Sequence, residues 1–143
     1  MISFDSAETE YKVINPARMK RRLKALAASE GKTITGLSYT FFTDEGLLKY
    51  NQEYLQHDTY TDIITFDMSE DPESGEIEGD ILISYERVLE NATEHNATPE
   101  EEMQRVMAHG LLHLCGYGDK SEKEAATMRA KEEGALKLFK EVK

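Results

Sequence analysis

Two histidines four positions apart, His109 and His113, carry the clearest chemical signal of the chain. They lie within Met103-Gln-Arg-Val-Met-Ala-His109-Gly-Leu-Leu-His113-Leu-Cys-Gly-Tyr-Gly-Asp119. On a helix, residues i and i+4 stand one above the other, so both imidazoles can reach one ion. A tetrahedral divalent metal accepts imidazole nitrogen and carboxylate oxygen. Asp119 is the candidate third ligand, because the glycines at 116 and 118 let the chain fold back over the helix end. The expected ion is Zn²⁺, one per chain, although two histidines and a carboxylate also suit nickel, iron or cobalt.

The helix that must hold these histidines is signalled at both ends. Thr98 is a candidate N-cap, Pro99 fits the first helical position, and Glu101 would complete a Thr-x-x-Glu capping box. Glu100, Glu101 and Glu102 suit the positive end of the helix dipole. Met103, Val106, Met107, Gly110, Leu111 and Leu114 recur with the helical period and predict one buried stripe. The histidines flank that stripe on the side of Val106. Gly116 offers the left-handed residue that ends the helix near 114. The pattern is close to the His-Glu-x-x-His of zinc peptidases, but Gly110 stands where their glutamate base is needed. A zinc peptidase is disfavoured.

The stretch His109-Gly-Leu-Leu-His113-Leu-Cys-Gly116-Tyr117-Gly-Asp119 resembles the His-Gly-x-Leu-His-Leu-x-Gly-Tyr-x-His motif of the YbeY family. These are bacterial rRNA maturation factors and metal-dependent endoribonucleases. One departure matters: the family's third ligand is usually histidine, and here it is Asp119. Aspartate adds negative charge and would make a bound metal less electrophilic.

Composition narrows the remaining classes. The chain has 143 residues, is 39% hydrophobic and 31% charged, and predicts one soluble domain over 1–143. No apolar run approaches the roughly 18 residues that span a bilayer. The first residues lack the basic and apolar regions of a secretory signal. A single cysteine, Cys115, excludes an internal disulfide and fits a reducing compartment, so the expected location is cytoplasmic. A net charge of −11 argues against indiscriminate nucleic-acid binding, which depends on Lys and Arg at phosphates. It favours recognition in a particular context, such as a ribosomal particle.

Read in order, the chain predicts a strand over 2–6 and a helix over 17–30, with Asn15 as N-cap and Pro16 at its start. That helix buries Met19, Leu23, Leu26 and Ala27 and exposes Arg18, Lys20, Arg21, Arg22 and Lys24. The exposed cluster reads as a solvated face, with an RNA-phosphate docking patch as its functional alternative. A strand over 37–43 follows, then a short helix capped by Thr43 or Asp44. Strands over 61–66 and 79–84 form a hairpin around an acidic turn at 68–78. Helices follow over 85–96, over the two histidines, and from Ser121 through Met128, Leu136 and Phe139. The order implies α+β: a four-stranded mixed β-sheet packed with about five helices. The first, second and fourth strands are expected to be parallel, with the third opposed at an edge.

The resemblance extends over nearly the whole chain. Asn51-Gln-Glu-Tyr54-Leu-Gln-His57-Asp58-Thr-Tyr-Thr61-Asp62-Ile-Ile-Thr-Phe66 is similar to the family's Asn-x-x-Tyr-Arg-x-Lys-Asp-x-Pro-Thr-Asp-Val-Leu-Ser-Phe. Gly79-Asp80-Ile-Leu-Ile-Ser84 matches its Gly-Asp-Ile-x-Ile-Ser. The family arginine that contributes to RNA cleavage falls on Leu55, so another cation (His57, Arg105 or Lys120) would have to serve, or cleavage would be weak or absent. The implied function is a single-strand-specific, metal-dependent endoribonuclease acting in small-subunit (16S) precursor rRNA maturation and ribosome quality control. It would partner the small ribosomal subunit or one of its proteins and no membrane. Asp62 or the ion's own hydroxide would act as base, and Asp80 is the candidate to orient a ligating histidine. His57 and His95 read as surface histidines. The alternative is a non-catalytic ribosome-assembly factor with a structural metal.

Overall fold

The computed structural model describes residues 1–56, 60–71 and 73–143. Among them four strands, β1 (Ile2–Ala7), β2 (Thr33–Phe42), β3 (Ile63–Asp67) and β4 (Glu76–Ser84), form one mixed sheet. Five helices join and cover it: α1 (Pro16–Ser29), α2 (Asp44–Leu55), α3 (Tyr85–Glu94), α4 (Pro99–Leu114) and α5 (Glu122–Glu141). The sheet order is β1-β2-β4-β3, with β1, β2 and β4 parallel and β3 antiparallel at the edge. This is the α+β arrangement that the order of sequence patterns implies.

Alternation along the strands sorts the residues between two faces. Tyr39, Phe41, Ile81 and Ile83 point into the main core, where they meet Leu23 and Leu26 of α1 and Met103, Met107 and Leu111 of α4. The opposite face is covered by α2 through Leu47, packed with Ile64 and Leu82. Helix α5 forms an outer layer against α4 and α1, burying Met128, Ala135 and Phe139.

Two contacts set α4 on the sheet. The wholly buried Tyr39 hydroxyl donates to the Met107 carbonyl at 2.9 Å, so β2 holds the helix two residues before His109. At Gly110 a Cβ would lie 2.9 Å from Ile81 Cδ1 and 3.0 Å from Ile63 Cδ1. A larger residue there would have to displace Ile81 and Ile63, or α4 with the histidines on it.

Several boundaries move for physical reasons. Strand β2 starts at Thr33 rather than 37, because Thr33 and Ile34 pair with Glu76 and Ile77. That pairing also draws the start of β4 back into the expected acidic turn. Strand β3 starts at Ile63, leaving Thr61 and Asp62 outside the ladder. Thr98 caps α4 by accepting from the Glu101 N–H at 3.1 Å, while the reciprocal capping box forms at α5, between Ser121 and Glu124. The basic cluster on α1 is not merely a solvated face. The Nε atoms of Arg18, Arg21 and Arg22 donate to the carbonyls of Val142, Lys143 and Phe139 at 3.0, 2.7 and 2.8 Å. They satisfy acceptors at the C-terminal end of α5 that the helix itself leaves open.

Candidate metal centre

Helix α4 presents His109 and His113 on one side, their rings edge to face with centroids 4.6 Å apart. After α4 the chain turns through Gly116, whose φ of 110° is one that side chains rarely permit. The turn returns Asp119 over the two imidazoles. Asp119 Oδ2 lies 3.4 Å from His109 Nε2 and 3.3 Å from His113 Nε2. These separations are long for a charge-assisted hydrogen bond, about 2.7–2.9 Å. They match the donor spacing around a tetrahedral ion with bonds of about 2.0–2.1 Å, which is about 3.3–3.4 Å. These two separations suit a divalent cation, and the donor atoms of the three residues expected from sequence all lie within 4.8 Å of one another, close enough to share one ion.

The site opens into a cleft of about 660 Å³ between α4, β3 with the residues just before it, and α5. Asp62 lines it, and its carboxylate accepts from Asn91 Nδ2 at 3.2 Å. Its backbone carbonyl accepts from the Ser84 N–H at 2.9 Å, which keeps Asp62 at the cleft beside the end of β4. Asp80 does not orient a histidine; it accepts from the Ser38 hydroxyl on the neighbouring strand.

Glu132 of α5 takes the orienting role instead. Its Oε2 accepts from His109 Nδ1 at 2.6 Å, so the lone pair of that imidazole is left on Nε2, facing Asp119. Burial alone lowers the His109 pKa, but the bond to Glu132 and the charges of Glu132, Asp119 and Asp62 outweigh it and leave the ring above its ordinary value.

Arg105 organises the wall beyond. Its guanidinium lies 3.6 Å from Glu102, 3.5 Å from Glu132 and 2.7 Å from Glu133. Glu102, only 2% exposed, in turn contacts His95 Nδ1 at 3.1 Å. His95 is a surface histidine, as expected, with its side chain 54% exposed, and it also lines the rim of the cleft that holds the metal donors. Of the cations expected to replace the missing arginine, Arg105 is in the cleft, Lys120 is exposed outside its lining, and His57 lies outside the described residues. Leu55 ends α2 on the surface, 37% exposed.

Sequence reasoning missed Glu132 and Glu102, though each left a trace. Glu132 sits four residues from both Met128 and Leu136, on the buried stripe of α5; Glu102 sits four before Val106 on α4. A carboxylate where the helical period calls for an apolar side chain marks a buried partner. A third contact braces the loop. The Tyr117 hydroxyl donates to Glu30 Oε1 at 2.6 Å, and Lys131 Nζ reaches Glu30 Oε2 at 3.0 Å. Cys115 is half-buried, and burial pushes its thiol up to about 11, consistent with a packing role.

A family model described as endoribonuclease YbeY matches residues 3–140. The endoribonuclease YbeY of Cytophaga hutchinsonii is 48% identical over 139 residues, covering 97% of this chain and 96% of that one. The Flavobacterium johnsoniae protein of the same name is 47% identical over 139 residues, covering 97% of each. Among solved structures, a Thermotoga maritima protein known in solution superposes with a TM-score of 0.68 at 24% identity, over 97% of this chain and 89% of that one. That likeness concerns the fold.

Proposed function

The chain belongs to the endoribonuclease YbeY family, and from that premise we propose a metal-dependent enzyme that hydrolyses phosphodiester bonds of single-stranded RNA. The observation that carries the metal dependence is the spacing of His109, His113 and Asp119 around one point at the cleft. These residues would hold one Zn²⁺ or a similar divalent ion. Three protein donors suit catalysis better than structure, since structural zinc is normally closed by four. When bound, such an ion supplies Lewis acidity, lowering the pKa of water towards about 7 and offsetting charge on the phosphate in the transition state.

The protein side chains do the rest. Glu132 keeps His109 in one tautomer and orientation. Asp62, in the same cleft, is the proposed acceptor of the proton from attacking water. Gly110, packed on Ile81 and Ile63, occupies the helix position where a zinc peptidase carries its glutamate base. The expected substrate is precursor 16S rRNA in the small ribosomal subunit, with a role in late maturation and quality control, in the cytoplasm. Among the described residues no helix is long and apolar enough to cross a membrane.

A second reading has its own support. Leu55 offers no charge to a phosphate, and the cleft is lined by Asp62, Asp67, Glu102, Asp119 and Glu132. That lining favours an assembly factor in which the metal only stabilises the loop. Cleavage of a single-stranded RNA by zinc-loaded protein, beside His113→Ala purified identically, separates the two. The enzyme reading expects cleavage by wild type alone. Equal cleavage by both, or none by either, would favour the assembly factor.

A further inference from the structure

Strand β3 ends the sheet on one side, and its register shows which of its backbone groups are taken. The Ser84 N–H donates to the Asp62 carbonyl at 2.9 Å, and the Met68 N–H to the Glu78 carbonyl at 2.8 Å. In an antiparallel ladder, alternate residues bond to the neighbouring strand. With Ile64 opposite Leu82 and Phe66 opposite Asp80, positions 62, 64, 66 and 68 face β4. The N–H and C=O groups of Ile63, Thr65 and Asp67 therefore point the other way, along the free edge. The Thr61 hydroxyl donates to the Ile63 carbonyl at 3.2 Å. Among the described residues no strand pairs with this edge, and no backbone group meets the N–H or C=O of Thr65 there.

The two faces beside the edge differ in character. Ile63, Thr65 and Asp67 line the cleft, whereas Ile64 and the half-buried Phe66 pack towards α2. The charge is one-sided. No Lys or Arg occurs between Lys49 and Arg87. Asp62 and Asp67 accept from the neutral donors Asn91 and Ser69, and among the described residues neither forms an ion pair. Exposed Glu70, Asp71 and Glu73 follow in the loop after β3.

We propose that the free edge of β3 docks an extended segment of a partner protein in which basic and apolar residues alternate. The segment adds antiparallel as a further strand about 4.8 Å from β3, pairing its backbone with Thr65 and its outward-facing neighbours. Its residues opposite Ile63, Thr65 and Asp67 share the cleft face, where Lys or Arg meets Asp67 and Asp62. The residues between them lie on the α2 side beside Phe66, where an apolar side chain is favoured. The net charge of −11 disfavours a second copy of this chain on the edge, and the local carboxylates disfavour RNA phosphates. This surface goes beyond the ribonuclease reading and does not depend on it.

The probe is the fluorescein-labelled peptide Gly-Lys-Val-Arg-Val-Lys-Gly, followed by anisotropy against the full chain. Beside it stand a peptide of the same composition with its basic residues clustered, and two N-methylated forms of the first. N-methylation of the arginine blocks an N–H that faces β3 and should raise Kd about tenfold; N-methylation of the valines, whose N–H groups face solvent, should change it less than about twofold. Thr65→Pro removes only an outward N–H, a position where an edge strand tolerates proline, and should also raise Kd about tenfold, with the thermal midpoint checked. Asp67→Lys should weaken the alternating peptide as well. Saturating peptide should slow hydrogen exchange at the Thr65 amide. The methylated peptides need no variant, so the proposal stays testable if Thr65→Pro does not fold. No binding by the alternating peptide overturns it, as does equal binding by the clustered or arginine-methylated peptide, which would be attraction by charge alone. Slowing of the Thr65 amide by a single-stranded oligoribonucleotide and not by peptide would give the edge to RNA. Slowing that grows with protein concentration alone would give it to a second copy. Either result overturns the proposal.

Discussion

At the scale of single residues, the centre depends on one imidazole being held by a carboxylate from a distant helix. Glu132 is 12% exposed and bonded to His109 at 2.6 Å, so removing it frees the ring to turn and lets Nδ1–H and Nε2–H exchange. Glu132→Ala is expected to lower zinc affinity about 10- to 100-fold in a chelator competition, while Glu132→Gln retains more of it. Equal affinity in Glu132→Ala and wild type would remove Glu132 from this role. Asp119→His restores the family's usual ligand and should bind zinc at least as tightly; loss of zinc there would mean Asp119 does something other than coordinate. The residues legible in the sequence were those whose partners are local: His109, His113 and Asp119 lie within eleven positions of one another. Glu132 and His95 were illegible because each acquires its partner only when helices pack together.

At the scale of elements, the position of α4 against the strands decides where the histidines sit. The same substitution should act with opposite sign on two helices. Gly110→Ala places a methyl 2.9–3.0 Å from Ile81 and Ile63, an overpacking worth about 1–3 kcal/mol against the roughly 1 kcal/mol that alanine returns in helix propensity. At Gly134 in α5 a Cβ would meet nothing within 4 Å, so Gly134→Ala should stabilise by about 1 kcal/mol. Chemical denaturation measures both; a stabilised Gly110→Ala would mean that α4 approaches the sheet less closely. Element types were readable from periodicity and capping residues, including Asn15, Thr43, Thr98 and Ser121, and the element order implied three parallel strands with the third opposed at an edge. The role of the α1 arginines was not, because their acceptors lie on the last residues of the chain. A run of positive charge looks the same whether it faces water, RNA or a helix end.

At the scale of the whole molecule, one cluster ties three distant segments around the centre. Glu30, next after α1, receives Tyr117 from the metal loop and Lys131 from α5. Burial raises the Glu30 pKa, but the hydrogen bonds from Tyr117 and Lys131 and the charge of Lys131 outweigh it and leave the carboxyl below its ordinary value. A depressed carboxyl contributes stability that is full above its unfolded value, about 4.3, and is lost as pH falls through the lower folded value. Glu30→Gln should therefore cost about 1–2 kcal/mol at pH 7 and progressively less in acid. An identical cost at pH 7 and pH 3 would mean the effect is packing and not charge. The overall charge of −11 leaves RNA recognition to the local chemistry of the cleft.

The proposed hydrolytic mechanism depends on an ion held by His109, His113 and Asp119. Equilibrium dialysis against Zn²⁺, with the metal content of wild type and His113→Ala measured side by side, tests this most directly. One zinc per chain in wild type and none retained by the variant is the expected result. Equal zinc in both, or none in either, would contradict the metal centre and the hydrolytic mechanism built on it.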